Sequence, residues 1–251
     1  MVHRPLGTSG LSVTPIGFGA FKIGRNRDIK YPQSYALPAE TEAARLLNGV
    51  LDLGINYIDT APAYGLSEER IGRAIAHRRA EFVLSTKVGE TFTEEGSTHD
   101  FENVAASVER SLRRLRTDVI DILFIHSDGR DLEIQRETGI IEKMREQRHQ
   151  GRVRLLGFSG KTVEGAREAL AWADVLMVTL HPGDLSHAEA AAEAQRRGVG
   201  VVVKKGLASG HAPPSEAIPT VLALPGVSSM VIGGLSLDHM RENVALAEGG
   251  A

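Results

Sequence analysis

Apolar residues in this chain alternate between two rhythms. Runs such as EFVLSTKVG, DILFIHSDG, DVLMVTLHP and GVGVVVKKG are apolar almost throughout, without polar alternation. Strands covered on both faces read this way. SVTPIGFGAF, INYIDTAP, RVRLLGFSG and VSSMVIGG are four more of the same kind, which makes eight. Between and after them lie stretches of helical period: ETEAARLLNGVLDLG, SEERIGRAIAHRR, ENVAASVERSLRRL, IIEKMREQRHQG, TVEGAREALAW, SHAEAAAEAQRRG, SEAIPTVLALP and SLDHMRENVALAE. Many open on Ser or Thr with an acid in the first turn, and several close on Gly, as capped helices do. Eight strands each followed by a helix, with no linker between them, predict one α/β domain over residues 1–251, a (β/α)8 TIM barrel. An open doubly wound sheet would carry a GxGxxG turn after its first strand, and none is there.

Composition narrows the chemistry more than the fold. With 29 basic and 32 acidic residues the formal charge is −3, and no long run of one sign offers a surface for nucleic acid or an anionic membrane. No cysteine is present, which excludes disulfides, thiol nucleophiles and thiolate metal sites. No apolar run approaches about 18 residues, so the sequence reads as a soluble, cytoplasmic protein.

The eight runs end unevenly. Asp59 closes the second, Lys87 the third, His126 the fourth and Ser159 the fifth, and Tyr64 follows Asp59 in the same loop. Strand C-termini line the active-site face of a barrel, so these groups can converge. They also belong together chemically. A phenol is a reluctant proton donor at neutral pH, and a nearby Lys87 ammonium is expected to lower its pKa. Asp59 would keep that ammonium charged, and His126 would hydrogen-bond a carbonyl oxygen and fix its angle. Tyr64 then becomes a general acid toward a developing alkoxide, suited to carbonyl reduction or its reverse.

The stretches INYIDTAPAYGLSEERIGRAI, STKVG, DILFIHSDG, GFSG and VIGGLSLDHMRENV resemble the aldo-keto reductase superfamily over nearly the whole length. The resemblance implies a short bacterial-type NADPH-dependent reductase of small aldehydes and ketones. Its tetrad falls on Asp59, Tyr64, Lys87 and His126, with hydride delivered from nicotinamide C4. It also implies Gly19, Ala20 and Phe21 near the nicotinamide ribose and the substrate, with Asp59 close by. Ser159 would bind the carboxamide, although its usual Asn neighbour is Gly160 and the family's strand-six Gln is Met177. Lys204 stands where many members stack an aromatic on the nicotinamide. Because a cation beside an oxidised ring is unfavourable, Lys204 is expected to point at phosphate or a substrate carboxylate. The KKGLASG segment resembles a pyrophosphate loop, with Lys205, Gly206, Leu207 and Ser209. Gly233, Gly234, Ser236, His239 and Asn243 resemble the 2′-phosphate and adenine loop. His239 replaces a common Arg, and a neutral imidazole grips phosphate less well, so NAD(H) is an expected second cofactor beside NADP(H).

For the substrate, Phe21, Phe92 and His181 are the expected walls around Tyr64 and His126, in a shallow, open pocket. The segment TFTEEGSTHDF after Lys87 is expected to be mobile. Three other functions compete. Lys87 could serve a Schiff-base aldolase, but a paired Asp59 keeps it protonated. A metallohydrolase lacks clustered ligands, so no metal is expected. Some proteins of this fold bind nicotinamide cofactors as regulatory channel subunits, yet no N-terminal docking extension is expected here and the tetrad is intact. The expected partner is a small carbonyl compound, with a monomer as the expected state.

Overall fold

A computed structural model describes residues 1–29 and 31–249. Eight parallel strands close into a barrel: β1 (Ile16–Gly19), β2 (Tyr57–Asp59), β3 (Val83–Val88), β4 (Ile120–His126), β5 (Val153–Ser159), β6 (Val175–Thr179), β7 (Gly200–Lys204) and β8 (Val227–Ile232). Each pairs with its neighbour in sequence, and β8 closes on β1 through Met230–Ile16, Val231–Gly17 and Ile232–Phe18. The outer ring is α1 (Glu40–Asp52), α2 (Ser67–Ile75), α3 (Val104–Leu115), α4 (Asp131–Glu137), α5 (Ile140–His149), α6 (Val163–Ala169), α7 (Ala188–Arg196), α8 (Pro214–Leu222) and α9 (Leu237–Gly249).

Two apolar cores follow from covering both faces of every strand. The outer one packs helices on strands, with Leu46, Leu47 and Val50 of α1, Ile71 of α2 and Val108 of α3 against Ile58, Leu84 and Leu123. The inner one fills the barrel with Tyr57, Val83, Ile122, Phe124, Val175, Met177 and Val202. Leu6 and Val13 seal its lower end and are fully buried. They come from a short antiparallel hairpin, Arg4–Pro5 against Ser12–Val13. That hairpin revises the strand read over SVTPIGFGAF: Ser12–Val13 belongs to the plug, and only Ile16–Gly19 enters the barrel.

Two further differences concern the mouth. The segment expected to be mobile folds as an antiparallel hairpin, Glu90–Thr93 paired with Gly96–His99. Phe92 stacks under the Arg25 guanidinium, 3.6 Å from its centre. The helix α4 has no counterpart in the sequence reading, because its only apolar residues, Leu132 and Ile134, lie two apart and show no helical period. Caps differ as well. Thr162 accepts a hydrogen bond from the Gly165 amide at the start of α6, but Ser67 turns inward and donates to Ala20 O at 2.9 Å.

Candidate active site

Register carries the polar strand ends to one rim. Gly19 lies beside Asp59, His126 beside Ser159, and Thr179 beside Lys204. Tyr64 reaches the same rim through a short 3-10 turn, Pro62–Tyr64, ended by Gly65 at φ +58°. The turn fits only because Gly24 has no side chain, since a Cβ there would lie 2.0 Å from Tyr64 O.

Asp59 and Lys87 form a buried pair, 2% and 0% exposed. The Lys87 ammonium donates to both Asp59 oxygens and to Thr60 O, each at 2.8 Å. All three of its protons are therefore used. Ser85 Oγ donates to Asp59 Oδ1 at 2.7 Å, which leaves the Tyr57 hydroxyl as donor to Ser85 Oγ at 3.0 Å. Lys87 and Ser85, both on β3, thus donate to one carboxylate, which burial alone would destabilise, and Tyr57 backs Ser85. Tyr57 and Ser85 were absent from the sequence reading, because a Ser or Tyr inside an apolar strand carries no positional signal.

Lys87 faces Tyr64 differently from the sequence expectation. Its Nζ lies 4.8 Å from the centre of the phenol ring, over the face. Burial pushes the Tyr64 phenol well above its ordinary value, and the charges of Asp59 and Glu90 add to this. The expected lowering by Lys87 does not occur, because Asp59 neutralises the ammonium at close range. Burial likewise pulls Lys87 below its ordinary value, with Asp59 opposing.

His126 packs edge-on to Tyr64, ring centres 6.2 Å apart. Its Nδ1 lies 3.0 Å from Glu90 Oε2, at an angle too oblique for a straight hydrogen bond. Burial pulls the imidazole down, Glu90 opposes, and Lys87 and Lys204 add to the lowering. Burial works against the ionised Glu90 as well, but His126 and the Ser97 hydroxyl, 2.8 Å away, hold that carboxyl at about 2.

These groups open into a cavity of about 370 Å³ at the barrel mouth, lined by Asp59, Tyr64, His126 and Ser159. Phe21, Arg25, Tyr31, Glu90 and Ser97 form one wall, and Gly19, Met177, Lys204, Lys205, Ser209 and Gly233 face it. Phe92 and His181 do not line it. Phe92 is spent beneath Arg25, and His181 sits in a turn bridged to Asp184. Arg25, Tyr31, Glu90 and Ser97 were missed, since their places depend on how two loops fold over the rim.

The second wall suits a phosphate-bearing cofactor. Gly19 and Gly233 offer bare backbone, and a Cβ on Gly19 would lie 2.9 Å from Val231. Lys205, Ala208 and Ser209 hold left-handed backbone, the arrangement of anion-binding concavities. Ala20 is buried beneath the rim, and Gly160, Gly206, Leu207 and Gly234 flank the cavity without lining it. Farther out, Ser236 Oγ accepts the His239 amide at 3.3 Å, His239 is exposed, and Asn243 is buried. Arg241 pairs with Asp238. The Lys204 Nζ donates to Ser159 Oγ at 2.9 Å and to Gly160 O at 2.7 Å.

Behind the site, Asp131 ties two rim loops together. Its Oδ2 accepts the amides of Lys161 and Thr162 at 2.7 and 2.8 Å and the Thr162 hydroxyl at 2.9 Å, while Oδ1 accepts Ser127. Asp131→Ala would leave these donors unpaired, and denaturant unfolding should show a loss of roughly 2–5 kcal/mol. A loss under about 1 kcal/mol would mean that water replaces the carboxylate.

The aldo/keto reductase family model matches residues 15–219, which is most of the barrel. This chain belongs to the aldo/keto reductase family. Among its relatives in this oxidoreductase family is L-galactose dehydrogenase of Arabidopsis thaliana, 28% identical over 96% of this chain and 86% of that one. A putative aldo-keto reductase from Pseudomonas aeruginosa superposes with a TM-score of 0.91 at 40% identity, covering 99% of this chain and 96% of the other. The holo form of an aldo-keto reductase from Bacillus halodurans gives 0.84 at 31%, covering 99% and 91%. Among the described residues no helix is long and apolar enough to cross a membrane.

Proposed function

We propose that this aldo/keto reductase interconverts small aldehydes or ketones and their alcohols with NADP(H), accepting NAD(H) as well. The observation that carries the reading is the meeting of Tyr64 and His126 above the buried Asp59–Lys87 pair, at the lip of one cavity. Gly19, Ser159 and the left-handed KKGLASG turn would hold the nicotinamide cofactor, which would supply or receive the hydride.

The protein's own part is to hold a proton and a carbonyl. Tyr64 keeps its phenol protonated in the resting site, where burial raises its pKa. An alkoxide forming beside it is a stronger base than a phenolate, so the proton moves downhill to the alkoxide oxygen. Lys87 lies against the ring face and tempers the charge left on Tyr64, and Asp59 keeps that ammonium in register. His126 fixes the direction of the substrate oxygen. Phe21 and Tyr31 give apolar contact, and Arg25, Glu90 and Ser97 give polar contact to what lies beyond the carbonyl. This mixture suits hydroxylated substrates. The similarity to a protein named L-galactose dehydrogenase keeps sugar alcohol groups and the oxidative direction within the proposal. A Schiff-base role for Lys87 is disfavoured by its three occupied protons.

Titrating NADPH and then NADH into the protein, followed by turnover of a generic aldehyde, tests the reading. Both cofactors should bind, NADPH by a modest margin more tightly, and aldehyde should be consumed. Failure to bind either would overturn it.

A further inference from the structure

Lys204 is unusual among the cations of the mouth. It ends β7, reaches across the rim, and donates to a hydroxyl and a carbonyl. Among the described residues no carboxylate comes within ion-pair distance of the half-buried Lys204 Nζ, whereas Lys87, fully buried, is clasped by Asp59. The groups that face it are mostly of its own sign. Lys205 follows it in the same loop, Lys87 stands on β3, and Lys161 on the loop after β5. His126 on β4 and His187 at the start of α7 feel its charge. Asp131 alone favours the ammonium, and its carboxylate is already shared among Ser127, Lys161 and Thr162. Burial first, then Lys205, Lys87 and Lys161, bring the amine from its usual range down to about 7. Its charge therefore changes in the physiological range.

We propose that Lys204 is a proton-controlled selector between the two redox states of the cofactor, its ammonium opposing the cationic oxidised ring and its neutral amine admitting it. The inference rests on the nicotinamide reading given above, since the Ser159 that accepts from Lys204 is the residue at which that reading seats the carboxamide. The phosphates and adenosine are common to both redox states and cancel in the ratio of their affinities. What differs is one positive charge on the ring. Two like charges in a site of reduced dielectric repel by enough to matter, while the neutral reduced ring meets no such cost. The sign is then fixed. Below about 7 Lys204 is charged and NADP⁺ is penalised relative to NADPH; above it the penalty is lost. Linkage is reciprocal, so NADP⁺ must expel the Lys204 proton on binding and NADPH must not.

Dissociation constants for NADP⁺ and NADPH, measured by titration between about pH 6 and about pH 8, test this directly. In the native protein the NADP⁺-to-NADPH ratio should fall by about tenfold across that interval, as one coupled proton requires. Lys204→Met should give a low ratio flat with pH, and Lys204→Arg, which cannot lose its charge, a high ratio equally flat. Calorimetry at about pH 6.5 in two buffers of unlike ionisation enthalpy should show proton release with NADP⁺ alone. Should Lys204→Met fail to fold, the native protein and Lys204→Arg still decide. A native ratio flat with pH, or a slope that survives in Lys204→Met, overturns the selector while leaving the cofactor reading intact. Failure of either nucleotide to bind overturns both.

Discussion

Tyr64→Phe should bind cofactor within about twofold of the native protein, yet lower kcat for an aldehyde by a factor of about 10³, the middle of the range for a positioned proton donor. The substitution removes one oxygen and leaves the ring. The edge contact with Phe21, 5.1 Å between centres, and the Lys87 ammonium over the face both remain. A loss confined to turnover would therefore report proton delivery and not packing. At saturating substrate the effect should fall on kcat more than on KM, because the proton is needed only as the alkoxide forms. Retained activity would assign the proton to another group, with His126 first to be tested. The comparison is interpretable only with circular dichroism and cofactor affinity measured on the same preparation.

The largest effect on stability belongs to the Asp59–Lys87 pair. Lys87→Met should cost about 3–5 kcal/mol in denaturant unfolding, because it leaves the Asp59 carboxylate buried without its cation. Asp59→Asn should cost a similar amount by stranding the Lys87 ammonium. The double variant should be far less damaged than the sum, since no charge is left unpaired and the Asn amide can still accept from Ser85 Oγ. All three should lose turnover. Strict additivity would mean that the two residues contribute separately and that water reaches the site in the single variants. The contrast separates what the pair does for folding, which neutral residues can replace, from what it does for Tyr64.

Much of this was legible before any coordinates. The eight strands stood out because a barrel strand is covered twice, which makes it apolar without alternation. Asp59, Lys87 and His126 stood out because each breaks such a run at its C-terminal end, and Tyr64 because it follows Asp59 in the same loop. Where side chains depend on loop folding, the signal was missing. Nothing in ETFTEEGSTH says that its two halves pair, so Glu90 beside His126 and Ser97 beside Glu90 could not be foreseen. Arg25 looks like any loop arginine until Phe92 is found beneath it. Asp131 opens a helix whose two apolar residues show no helical period, though it clamps two loops. The phenol of Tyr64 was misjudged because sequence reports that Lys87 is near and not that the phenol itself is buried.

The seam between β8 and β1 also constrains how the chain can fold. Strands β2 to β7 meet partners nearby in sequence, but β1 finds its second partner only when Met230–Ile232 arrives. Arg4 of the lower plug makes the same demand, donating to Leu222 O and Val227 O across separations of 218 and 223 residues. Contacts of such range raise the contact order and slow the search. On the ribosome, six or seven strands emerge with two raw edges before the last can close the ring, and those edges are templates for wrong pairing. The late-arriving β8 is thus where a slow folding phase, and dependence on chaperones during synthesis, would be located.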